Sequence, residues 1–138
     1  MNPNLASNLL SILPIKTCRF HLKEEAAIQR EFVQFCTTLT LQNRLKAVWT
    51  SIANENSNNK HPVFGSMLKS LGKIKGAPDM VFLWKDGCGF IEFKSPKGKL
   101  STNQKVFKDW CGSLKVKYKL ARSCVEATEI LVEWGVLK

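Results

Sequence analysis

Apolar and polar positions change rhythm several times along the chain, and each change predicts an element. From Leu22 to about Leu41, the residues Leu22, Ala26, Phe32, Val33, Cys36 and Leu39 recur at steps of three and four, while Glu24, Gln29 and Arg30 fill other faces. That is the period of an amphipathic helix. Ala47–Ile52 carries Val48, Trp49, Thr50 and Ile52, which suit a pleated strand. The polar run Asn54–Asn59 is a loop by composition, and Pro62 can open a short helix to about Leu71. Gly72 and Gly76 mark a turn, and Pro78 favours extended backbone just before Asp79. Met80–Trp84 is an unbroken apolar run, as for a strand covered on both faces. Asp86-Gly87 predicts a hairpin turn. The return strand Gly89–Lys94 alternates: Phe90, Glu92 and Lys94 point one way, Ile91 and Phe93 the other. Ser101 and Gln104 have capping-box spacing ahead of a helix to about Cys111. Lys115–Ala121 alternates through Val116, Tyr118 and Leu120 as a further strand. Ser123 can cap a last helix with Val125, Ile130, Leu131 and Trp134 on its apolar face. The opening segment, residues 1–20, has weaker signals and reads as an arm or short helix.

This order predicts an α/β domain with a central sheet and flanking helices. The length of 138 residues suits one domain spanning residues 1–138, large enough to bury a core without disulfides. No internal repeat or long linker divides it.

Charge alters the picture more than composition does. The chain carries 21 Lys+Arg against 11 Asp+Glu, a net +10. Between Lys60 and Lys119 there are 13 lysines and 4 acids, so almost the whole excess falls in one stretch. Such a field attracts polyanions and releases their counterions. The five cysteines, Cys18, Cys36, Cys88, Cys111 and Cys124, show neither C-x-x-C nor zinc-ligand spacing. They read as reduced, mostly buried thiols, which suits a cytoplasmic protein. The N-terminus does not look like a secretory signal, and no stretch approaches the roughly 18 apolar residues of a membrane span.

Candidate chemistry lies in the same basic stretch. Asp79 begins one strand of the predicted hairpin and Glu92 lies near the end of the other. Two carboxylates brought together at a sheet end repel each other, and a hard divalent cation relieves that repulsion. Lys94, two residues on, shares the face of Glu92 and can stabilise phosphate charge. A bound cation would lower the pKa of water. The plainer rival for each part is a surface ion pair or a turn acid.

Pro78-Asp79 followed by Glu92-Phe93-Lys94 resembles the core motif of the PD-(D/E)XK nucleases. The wider run Gly72–Asp79, then Phe90–Lys94, then Gly98-Lys99-Leu100-Ser101 and Gln104, resembles their VRR-NUC branch, the virus-type replication and repair nucleases, over about Glu25 to Trp134. The resemblance implies a restriction-endonuclease-like core with a mixed sheet. It implies Mg²⁺ or Mn²⁺ held by Asp79, Glu92 and the Phe93 carbonyl, with Lys94 as catalytic lysine and Gln104 beside the metal water or phosphate. An acid on the first helix would complete the site: Glu25 by the family's opening pattern, with Glu24 the alternative. Gln104 can equally close a capping box, and Glu25 can be a solvated helix residue. Lys73, Lys75, Lys97, Lys99, Ser101 and Asn54 are candidate DNA contacts, whereas Asn54 and Glu55 also fit a plain loop. His21 and His61 stand isolated and suggest no catalytic base. Trp84 and Trp110 read as core or interface residues.

The implied activity is a metal-dependent, structure-selective DNA endonuclease of a bacterial or phage-infected cell, acting in DNA repair. Standalone members of the branch resemble Holliday-junction resolvases, and cutting two strands symmetrically calls for a homodimer. The rivals are a monomeric flap or nicking nuclease and a non-catalytic nucleic-acid binder. A sequence-specific restriction enzyme would need base-reading elements for which the chain leaves little room.

Overall fold

The computed structural model of the chain describes residues 1–15, 22–52 and 62–138. In these, five helices and four strands follow one another as α1 (Pro3–Ile12), α2 (Glu24–Leu41), β1 (Val48–Ser51), α3 (Pro62–Ser70), β2 (Met80–Trp84), β3 (Gly87–Phe93), α4 (Thr102–Ser113), β4 (Lys117–Ala121) and α5 (Cys124–Glu133). The strands form one mixed sheet in the order β1-β2-β3-β4. β1 and β2 pair antiparallel, as do β2 and β3, while β4 joins β3 in parallel. The parallel step needs a crossover, and α4 supplies it.

Residues opposite one another in the ladder share a face of the sheet. Trp49, Phe82, Met80, Ile91, Phe93 and Ala121 fall on one face by this rule. There they meet Phe32, Cys36 and Leu39 of α2 and Ala127, Ile130 and Leu131 of α5 in the hydrophobic core. Phe32 packs on the rings of Phe82 and Phe93 with centroids 6.1 and 5.6 Å away. The opposite face carries Phe90, Glu92 and Tyr118, and α4 covers that part through Phe107, whose ring meets Phe90 edge-on at 5.5 Å.

Several local details differ from the sequence expectation. β2 buries one face fully: Met80 and Phe82 are inaccessible, but Leu83 on the other face is half exposed and lines a groove together with Leu5, Leu9 and Ile12 of α1. The hairpin turn is Lys85-Asp86, since Trp84 pairs with Gly87. Neither turn residue has a positive φ, so the glycine does not serve a left-handed turn. Gly87 instead makes room for a ring, as a Cβ there would lie 2.9 Å from Trp84 Cζ2. β4 begins at Lys117 rather than Lys115, because Lys115 is left-handed at φ 57. Trp84 stacks on Trp134 at 5.5 Å, whereas Trp110 is half exposed at the rim of Phe107 and belongs to no core.

The opening segment does contain a helix, α1, with Asn2 capping its first turn through Asn4 N–H. Among the described residues Cys36, Cys88, Cys111 and Cys124 are free thiols, two buried and two half-buried. Cys18, His21, Asn54, Glu55 and His61 lie outside the described residues. No described helix is long and apolar enough to cross a membrane.

Candidate active site

The hairpin register brings the two acids together. Met80 pairs with Ile91, so one further step sets Asp79 opposite Glu92 on the face away from the core. Asp79 is fixed from both sides. Its carbonyl accepts from Ile52 N–H at 2.8 Å, tying it to the end of β1. Its Oδ2 accepts from Phe93 N–H, also at 2.8 Å. The next register position opposite Phe93 is Pro78, which has no N–H to offer the Phe93 carbonyl. The proline thus ends the ladder just beside the two acids.

Glu92 and Lys94 are both buried, at 2% and 8% exposure, although each is a charged residue type on a strand that leaves the core. Unpaired, either would be costly. Lys94 Nζ lies 3.7 Å from Glu92 Oε1. Gln104 Nε2 donates to the same oxygen at 2.6 Å. The second oxygen, Oε2, is buried without a hydrogen-bond partner. Burial foremost, then the negative charge of Asp79, and to a lesser degree that of Glu25, raise the Glu92 carboxyl to about 8; Lys94 opposes the rise. Tyr118, on the same face, is pushed up by burial and then by the Glu92 and Asp79 charges, and its hydroxyl is also unpartnered.

Gln104 has two roles at once. Ser101 caps α4 by accepting from Gln104 N–H at 3.2 Å, and Gln104 Oε1 accepts from Ser101 N–H at 2.8 Å. With its oxygen so engaged, the amide must turn its NH₂ toward Glu92. The capping box and the contact to Glu92 are one arrangement.

These groups line a cleft of about 680 Å³. Its described lining includes Glu25, Asp79, Glu92, Lys94, Ser101 and Gln104, together with Lys73 and Lys75 from the turn before β2. Glu25 stands in the first turn of α2, where a carboxylate suits the helix dipole, and accepts from Ser95 N–H at 3.4 Å. The neighbouring Glu24 is exposed and does not line the cleft, so the fold favours Glu25 of the two. Lys97 and Lys99 follow β3 but are not among the lining residues.

Sequence reasoning missed Lys69 in the last turn of α3, which adds a third lysine to one wall, and Asn103 at the start of α4. The walls meet near that asparagine. Gly76, at φ +89, lies so close that a Cβ would sit 2.5 Å from the Asn103 backbone.

Comparison with known proteins finds no matching family model, curated protein or solved structure. What the cleft can do follows from its own groups. Among the described residues no three His, Cys, Asp or Glu side chains gather as a ready-made metal cage. Asp79 and Glu92, facing each other with one carboxylate oxygen buried and unpaired, nevertheless suit Mg²⁺ or Mn²⁺. Mg²⁺ commonly takes one or two carboxylates and completes its shell with water and substrate phosphate.

Proposed function

We propose that the chain is a divalent-cation-dependent DNA endonuclease with a PD-(D/E)XK core of the VRR-NUC type. One observation carries this reading: Asp79, Glu92 and Lys94 open into a single cleft, with Glu92 left half-paired and strongly disposed to hold a proton. A buried acid with a raised pKa beside a second acid is poor ion-pair design and good cation-site design. Asp79, Glu92 and the Phe93 carbonyl would hold the ion, with Glu25 completing the site. When bound, the ion supplies an activated water and neutralises phosphate charge.

The chain's own groups do the rest. Lys94 places a buried ammonium beside the carboxylates, where it can stabilise a phosphate oxygen or hydroxide. Gln104 holds Glu92 in one orientation through the cap of α4. Lys69, Lys73 and Lys75 line a wall where a nucleic-acid backbone can lie.

Within DNA, the proposed substrate is branched or junction DNA, cut in a resolvase-like manner by a homodimer that supplies two clefts. The alternative is a monomer acting on flaps or nicks. A cleavage panel of junctions, flaps, nicked and plain duplexes with Mg²⁺ or Mn²⁺ tests this. The wild type should cut, while Glu92→Ala, Lys94→Ala and chelation should each stop cleavage but spare binding. Equal cleavage by the variants sinks the assignment. A strict monomer in sedimentation, with junctions still resolved, removes the dimer.

A further inference from the structure

Arg122 follows β4 by one residue and does not line the cleft. Its Nη1 donates to three backbone carbonyls of one loop: Ser95 at 2.6 Å, Gly98 at 2.7 Å and Pro96 at 3.3 Å. Arg122 is itself anchored, since its backbone N–H donates to Glu126 Oε2 at 2.7 Å in the first turn of α5. The loop leads directly out of Lys94, and Lys94 N–H donates to Ala121 C=O at 3.0 Å, the residue before Arg122.

The other side of this loop rests on Glu25. Ser95 N–H donates to Glu25 Oε1, and Gly98 N–H closes the loop onto Ser95 C=O at 3.0 Å. A Cβ on Gly98 would stand 3.0 Å from that same Glu25 oxygen and 2.9 Å from Ser95 Oγ. Any drift of the loop is therefore transmitted to Glu25. The carbonyls of such a tight turn have few backbone donors, and a guanidinium is the side chain suited to gathering several of them.

We propose that Arg122 is a positioning residue: by clamping the carbonyls of Ser95, Pro96 and Gly98 it fixes the loop against which the Glu25 carboxylate is set at the cleft. The structural half stands alone, and the kinetic half rests on the nuclease reading above.

Amide hydrogen exchange on the full chain, paired with cleavage kinetics, tests both halves. In Arg122→Gln the Ser95 and Gly98 amides should exchange about tenfold faster, while the Phe93 and Lys94 amides stay within about twofold. Arg122→Lys, which keeps the charge and a donor, should recover part of the protection. In cleavage, Arg122→Gln should lower kcat by about tenfold and leave KM for DNA within about twofold. In a Glu25→Gln background the same change should cost less than about twofold, because both act through one loop. Unchanged exchange at Ser95 and Gly98, or equal acceleration at all four amides, overturns the clamp. Additive losses in the double variant overturn the link to Glu25. If neither wild type nor variants cleave any DNA, the exchange pattern still decides the clamp, and the nuclease reading alone fails.

Discussion

Glu92→Gln should make the protein more stable as the pH rises, while abolishing its proposed activity. In the folded chain the Glu92 carboxyl is raised from the ordinary 4.5 to about 8. A group of this kind binds its proton more tightly folded than unfolded. Its contribution is therefore complete below pH 4.5, falls as the pH rises, and levels off above about 8. At about 1.4 kcal/mol for each tenfold change in proton affinity, the ceiling is roughly 5 kcal/mol. The cleft opens to water on one side, so the working expectation is on the order of 2–3 kcal/mol. The glutamine preserves shape and can still accept from Gln104, but never ionises. Urea unfolding at pH 5, 7 and 9 should show the two proteins close together at pH 5. The variant should lead by about 2–3 kcal/mol at pH 9. Adding Mg²⁺ at a hundredfold over its Kd should return about 2.7 kcal/mol to the wild type and little to the variant. Parallel stability curves from pH 5 to 9 would refute the reasoning, since they would mean that Glu92 ionises in the fold as freely as in water.

Other changes separate the parts of the site. Gln104→Glu keeps an acceptor for Ser101 N–H but sets a carboxylate against Glu92; it should cost about 1–2 kcal/mol at pH 9 and little at pH 5, and equal losses in urea melts at both would contradict this. Phe32→Ala empties a fully buried position between Phe82 and Phe93. It should cost about 3–5 kcal/mol by denaturant unfolding, and a loss under about 1 would show a core that collapses to fill the space. Replacing Lys69, Lys73 and Lys75 by Gln should flatten the dependence of log K on log salt by about 2–3 in DNA anisotropy titrations; an unchanged slope would remove that wall from the binding path.

Much of the site could be read from the chain because short-range rules determine it. Glu92 and Lys94 share a face through the two-residue period of a strand, and Asp79 meets Glu92 through the register of one hairpin. Ser101 and Gln104 signalled their cap through spacing alone. Where docking between distant elements decides, the sequence was silent or misleading. Glu24 and Glu25 are adjacent on a helix and no local rule separates them; the resemblance favoured Glu25, and the way α2 passes the end of β3 sets that residue at the cleft. Leu83 reads like core but is half exposed at a groove. Gly87 reads as a turn residue, yet its missing side chain serves the Trp84 ring. Arg122 carries no local pattern at all, since the carbonyls it holds are 24 to 27 residues away.

The contact of Gly76 with Asn103 has a consequence for how the cleft behaves. One wall is the turn leading into β2 and the other the start of α4, and at this point their backbones touch with no side chain between them. The gap there depends on the absence of a single methyl group: a side chain on Gly76 would force one wall to shift. On the nuclease reading, that gap is the width a nucleic-acid backbone would meet on entering.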